Sequence, residues 1–359
     1  MSNESNYDAY LTKNNNIYNL EYINLFNKKN KFNLKNIKFT ENLKIDDFEL
    51  INATYQNKDD FINDISIKKK NRNIILNANN FDLSLNIEKI LKGKNNENLF
   101  DVFENLNSKL NINIKSAKLD NEYNLKNLNG SMLIKKNNID KASITGKYDD
   151  EKNFIFTKDE VEGQKVTTIF SDLAKPFVKK FDFIKGFEDG KFDFTSTEIN
   201  ENLSEAELRI YDFKLQDMPI LTKLLSLASL QGIADLATGE GIRFNEFEMF
   251  FENSKELIKI DEIYALGPAI SILMEGYIEK NNLVSLRGTL VPATTINKSI
   301  AKIPLLGNIL VGEKTGEGVF GVSFKIKGPP NQLEAKVNPI KTLTPRFITR
   351  TLNKIKNSK

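Results

Sequence analysis

Between residues 31 and 165 apolar and polar positions alternate in short runs, and Asn, Asp, Lys and Gly separate one run from the next. In "KLNINIKSAKL", Leu110, Ile112 and Ile114 fall on one side and Asn111, Asn113 and Lys115 on the other. A period of two belongs to a strand with one apolar and one wet face. "GSMLIKKNNIDKASITGKYDDEKNFIFTKDE" continues with three strands joined by polar turns. Such short connections predict antiparallel meanders. No strand–helix alternation of the doubly wound kind is present, so the class is mainly β.

Helical spacing interrupts the strands in a few places. "NIEKILKGKNNENLFDVFENLNSKL" predicts one or two short helices around 86–107. "VTTIFSDLAKPFVKKFDFIKGF" predicts a helix from about Ser171, bent near Pro176, leading into the strand "GKFDFTSTEI". The most apolar helix lies in "DMPILTKLLSLASLQGIADLATGEG", with Asp217 as cap and Pro219 in its first turn. Its apolar residues, Leu221, Leu224, Leu225, Leu227 and Leu230 among them, spread around most of the circumference. A helix of that kind is either buried or lies against lipid. Four strands follow in "IRFNEFEMFFEN", "ELIKIDEIYAL", "AISILMEGYIEK" and "LVSLRGTLVP". A helix with an apolar loop is expected at 294–310, a strand at 319–327, and a terminal helix in "LTPRFITRTLNKIKNSK". The last has Phe347, Ile348, Leu352 and Ile355 on one side and Arg346, Arg350, Lys354, Lys356 and Lys359 on the other. It fits an interfacial helix or a plain amphipathic one. Three regions result: a linker-like start at 1–30, repeated strands at 31–165, and a region with apolar helices at 166–359.

Composition narrows the chemistry. The 51 basic and 48 acidic residues nearly cancel, giving a net charge of +3, whereas a nucleic-acid binder concentrates a basic excess. His and Cys are absent, which removes the usual zinc ligands, the thiol nucleophile and the imidazole base. The carboxylate pair Asp149 and Asp150 sits in the turn-like run "GKYDDEKN" and reads as solvated surface. No catalytic residue, metal or cofactor is expected. No apolar run approaches the roughly 20 residues of a membrane span. The start, "MSNESNYDAYLTKNNNIYNL", has no signal-peptide pattern. The expectation is a cytoplasmic chain or a piece of something longer that holds the anchor.

Gly316, Gly318 and Gly321 match the spacing of a dinucleotide-binding fingerprint. That fingerprint needs a preceding strand and a helix opening at the third glycine. Here Phe320, Val322, Phe324 and Ile326 alternate with Gly321, Ser323, Lys325 and Lys327, which is a strand. The cluster is a turn, and no nucleotide is expected.

An ordered series of motifs runs through the last part of the chain. It comprises the Leu-rich helix followed by "GEGIRF", then "LGPAI", "GTLVPA", "IPLLG", "GEGVFG" and "VNPIKTLTP". The series resembles the AsmA-like C-terminal region of the YhdP family over about 150 residues. "IFSDLAKPFVKKFDFIKGFEDGKFDF" is similar to the segment before that region, and "NIILNANNFDLSLNIEKILKG" to the family's central repeats. The resemblance implies an elongated, curved antiparallel sheet forming a hydrophobic groove, with a few short amphipathic helices. It implies phospholipid transport between the inner and outer membrane, in the periplasm or cell envelope, by a membrane-associated chain. The alternative is a non-enzymatic scaffold whose partners are outer-membrane proteins. Candidates for contact with lipid or membrane are Leu221, Leu224, Leu225, Leu227 and Leu230, with Ile300, Ile303, Leu305, Leu306, Ile309 and Leu310. Pro304 and Gly307 break the helix there, so the second group is either an apolar tip or a cap on the core.

Overall fold

The computed structural model describes residues 5–14, 17–84, 99–178, 186–216, 219–227, 239–280, 282–292, 321–330 and 332–340. The chain divides into two compact units between Asp172 and Leu173.

The first unit is a meander of twelve described strands: β1 (Asn6–Asn14), β2 (Ile17–Phe26), β3 (Lys31–Phe39), β4 (Ile45–Asp47), β5 (Leu50–Gln56), β6 (Ile62–Lys70), β7 (Asn73–Asp82), β8 (Ser108–Lys118), β9 (Asn124–Lys135), β10 (Asn138–Lys147), β11 (Asn153–Val161) and β12 (Gln164–Ser171). Each pairs with its sequence neighbour, apart from short β4, which lies beside β3 while β5 takes up the rest of that edge. The turns explain the tightness of the hairpins. Lys136 and Asn137, between β9 and β10, both have positive φ, as do Glu162 and Gly163 between β11 and β12. Two consecutive left-handed residues match the twist of the flanking strands.

Three features differ from the sequence reading. Residues 6–26, expected as linker-like, form the β1–β2 hairpin, paired from Asn6↔Phe26 to Asn14↔Ile17. Tyr, Leu and Ile at close spacing supply enough β preference there to overcome the Asn-rich context. Strands β7 and β8 pair in parallel, from Asn73↔Lys109 to Asp82↔Lys118. A parallel pair needs a crossover, which residues 83–107 supply. Within it 85–98 lie outside the described residues, and 99–107, expected as helix, instead form turns and a bridge between Phe103 and Ile45. The Ile45 and Glu104 amides donate to the Val102 and Ile45 carbonyls at 2.9 Å each, so this segment spends its backbone groups on a neighbouring strand.

The second unit has eight described strands, all antiparallel and in chain order: β13 (Phe187–Asn200), β14 (Leu203–Leu215), β15 (Ile242–Ser254), β16 (Leu257–Leu266), β17 (Ile270–Glu279), β18 (Leu283–Pro292), β19 (Gly321–Gly328) and β20 (Glu334–Ile340). Helix α1 is the single turn Lys175–Val178, and α2 is Pro219–Leu227. The helix expected from Ser171 starts at Lys175, because Ser171 is still paired with Phe154 in the sheet. Strand β19 opens at the third glycine of the 316–321 cluster, so no helix stands where a pyrophosphate would need one. In both units the architecture is mainly β, curved and unclosed. Among the described residues no helix is long and apolar enough to cross a membrane.

Candidate functional site

The register of the second unit lines apolar side chains into rows that cross the whole sheet. Residues directly opposite in a ladder share a face. One such row runs Phe194, Leu208, Met249, Ile263, Met274, Gly288, Phe324, Val337, one residue from each of the eight strands. A second row on one side of it begins Phe192, Ile210, Phe247, Ala265, Ile272, Leu290, Val322. A third on the other side passes through Ala206, Phe251, Ile260, Gly276, Leu286, Ile326 and Ala335. Ser196 is the one polar side chain where these rows meet β13. Sheet strands lie about 4.8 Å apart, so the panel is roughly 34 Å across.

The central row is only partly covered. Phe192, Ile272, Leu290 and Val322 of the second row are buried, as are Ile263 and Phe324 of the first and Ile260 and Ile326 of the third, whereas Phe194, Leu208, Met249, Met274 and Leu286 are half-buried. Gly288 keeps the middle flat. A Cβ there would meet the Phe324 ring at 2.7 Å, the Met274 Cγ at 2.8 Å and the Leu273 carbonyl at 2.4 Å. One end of the panel is consolidated by aromatic packing. Phe177 of α1 stacks on Phe192 at 4.7 Å, and Phe213 lies between Phe187 at 5.2 Å and Phe244 at 5.3 Å. At the other end the Lys280 ammonium donates to the Ser254 carbonyl at 2.6 Å, and burial lowers its pKa.

The opposite face of the same sheet is mixed: Tyr264, Leu273 and Val291 form a buried apolar cluster with Leu266 on β16 to β18, and charged side chains stand beyond it. Glu275, Arg287, Lys325 and Lys336 stand in one row, and Arg287 pairs with Glu275 at 2.8 Å. Lys259 bridges Glu252 at 2.7 Å and Asp261 at 3.1 Å, and both partners raise its pKa. Alternation therefore separates the continuous apolar rows on one face from a face that is charged along the Glu275–Lys336 row and apolar only at the Tyr264 cluster.

The first unit repeats the design. Leu34, Ile51, Ile67, Leu76 and Ile112 are opposite one another from β3 to β8, and the row continues through Gly130, Ile144, Phe156 and Ile169. Leu110, Ile112 and Ile114 take the inner side of β8 as the alternation requires. Asp149 and Asp150 lie in the turn between β10 and β11, where Asp149 pairs with Lys126 at 2.8 Å and Asp150 with Lys152 at 2.7 Å. The hydrogen bond from Lys152 holds the Asp150 carboxyl below its ordinary value. Among the described residues no group of three or more acidic side chains is placed to hold a metal.

The lipid-contact candidates separate into three sets. Leu221, Leu224 and Leu225 are buried, and α2 packs against β20, so these three face protein rather than an outside ligand. The short helix sets them one turn apart on the side toward the strand. Leu227, at 47% exposure, is displayed. Leu230, Ile300, Ile303, Leu305, Leu306, Ile309 and Leu310 lie outside the described residues, as do the helices expected at 294–310 and 343–359. The panel residues themselves are absent from that set of candidates. Their signal was present: Ala206, Leu208 and Ile210 alternate with Glu205, Glu207 and Arg209 along β14.

Comparisons with protein-family models, with curated proteins and with solved structures find no match for this chain.

Proposed function

We propose that this chain is a lipid-transfer module of the cell envelope, carrying phospholipid acyl chains along the apolar panel between the inner and outer membrane. The observation that carries the reading is the panel: three adjacent apolar rows across eight strands, half-covered at the centre. Each methylene moved from water onto such a surface gains up to about 0.8 kcal/mol. Because successive rows offer nearly the same chemistry at each strand, an acyl chain has no strongly preferred stopping point and can slide. The motif series that resembles the YhdP and AsmA-like proteins supports the same reading, and it runs through β15 to β20, six of the eight strands that build the panel. The work needs no acid, base or metal.

The test is native mass spectrometry of the purified chain, followed by phospholipid transfer between vesicles. The parent should retain phospholipid. A triple substitution Leu208→Gln, Met249→Gln, Met274→Gln should lose it and slow transfer while keeping a cooperative thermal transition. Parent protein free of lipid, with transfer at the background rate, sinks the reading.

A second reading, a scaffold for outer-membrane proteins, rests on a different observation. Strand β1 is paired with β2 alone among the described residues, and it exposes Tyr7 at 76% together with Tyr10 and Leu11. An unpaired edge with apolar side chains suits strand addition by another chain. Capture of an extended outer-membrane strand peptide, abolished by a Leu11→Pro substitution, distinguishes it from lipid retention.

A further inference from the structure

The wet face of the first unit carries a row that its neighbours do not share. Asn24, Asn33, Asn52, Ser66, Asn77 and Asn113 are opposite one another from β2 to β8. The adjacent row on one side holds Lys35, Leu50, Lys68 and Ile75 instead, and reaches an amide only at Asn111 on β8. Asn is disfavoured in strands, and an Asn-rich composition alone does not gather amides into a single row. Five strand steps of about 4.8 Å make this ladder roughly 24 Å long.

The ladder borders a shallow hollow of about 770 Å³. Its other wall includes Phe26, Lys31, Thr54, Asp64 and Lys115. Phe26 is half-exposed, at 50%, and so offers one aromatic surface to the hollow. Asp64 accepts from the Thr54 hydroxyl at 3.2 Å on one oxygen and from the Asn79 amide on the other. Among the amides, Asn33 donates to Asn24, and Asn113 donates to Asn77 at 3.4 Å. Each amide has two donor hydrogens and two acceptor lone pairs, so capacity remains at every step.

We infer that this amide ladder binds an extended glycan, laid across the strands with its hydroxyls on Asn33, Asn52 and Asn77. A hydroxyl both donates and accepts, and so does a primary amide, which makes the two chemistries complementary at each strand. The exposed ring of Phe26 is suited to the C–H face of a sugar at one end. A regular row of like groups fits a polymer of like units better than a compact ligand. By register the amides stand on the face opposite the Leu34–Ile112 row of the same strands.

The experiment is isothermal titration of the full chain with chitohexaose and with cellohexaose, alongside anionic phospholipid vesicles. One of the two oligosaccharides should bind, and Asn52→Leu with Asn77→Leu should weaken it about tenfold, equivalent to about 1.4 kcal/mol. Asn121→Leu, in an exposed turn, should leave it unchanged. Should the leucine pair fail to fold, Asn52→Ser with Asn77→Ser tests the same contacts with smaller polar side chains and should also weaken binding. Absence of binding by both oligosaccharides at millimolar concentration overturns the inference. So does equal affinity in a folded double variant, or an effect of the Asn substitutions on vesicles alone.

Discussion

Leu225 and Leu227 lie two residues apart on α2, yet the structure assigns them opposite roles. Leu225 is 0% exposed, with Leu221 and Leu224 buried beside it, whereas Leu227 is 47% exposed. Truncating Leu225 to alanine removes a fully enclosed side chain where α2 packs on β20. Buried Leu→Ala changes cost about 2–5 kcal/mol, from lost transfer energy and from the cavity left behind. The second unit extends from Leu173 to Lys359. For units of that size each kcal/mol moves Tm by roughly 2–4 °C, so Leu225→Ala should lower its transition by roughly 5–15 °C. Leu227→Ala should change stability by less than about 1 kcal/mol. If lipid or membrane meets this helix, Leu227→Asp should reduce vesicle co-sedimentation without moving the melt. Circular dichroism melts and sedimentation with phospholipid vesicles measure both quantities. A Leu225→Ala melt within about 2 °C of the parent, or equal losses at the two positions, refutes the assignment of α2 to the core.

Other outcomes follow from the charged groups. Asp140 is ion-paired with Lys135 at 2.8 Å and accepts a hydrogen bond from Lys165 at 2.7 Å, and these two partners lower its pKa to about 2. A carboxyl depressed in the folded state stabilises above its unfolded value near 3.9 and loses that contribution as pH falls toward 2. Asp140→Asn should therefore cost about 1–2 kcal/mol at pH 7, allowing for the solvent exposure of Lys135, and almost nothing at pH 2, as read from urea titrations at both pH values. Lys118 and Asp82 form a buried pair at 3.9 Å, and Asn57 also donates to Asp82 at 2.7 Å. Lys118→Met should destabilise by about 3–5 kcal/mol because it strands a buried carboxylate. Adding Asp82→Asn should recover much of that loss, and a double variant no better than the single one contradicts the pairing.

Much of this protein was legible as a line of residues. Alternation in 108–118, 124–147 and 242–292 announced strands and the side each residue takes, because a pleated backbone leaves no other arrangement. Phe320 to Ile326 likewise showed that the glycine cluster leads into a strand. The row Phe194 to Val337 could not be read that way. Its members are scattered over nearly 150 positions, and only the register of seven ladders places them opposite one another. The parallel β7–β8 pair and the amide ladder have the same origin. A shift of one residue in any ladder would send half of each row to the other face. The burial of Leu225 beside an exposed Leu227 was also beyond local reading, since an all-round apolar helix does not state which side its neighbour will cover. Period is a property of the chain, while register and partner are properties of the fold.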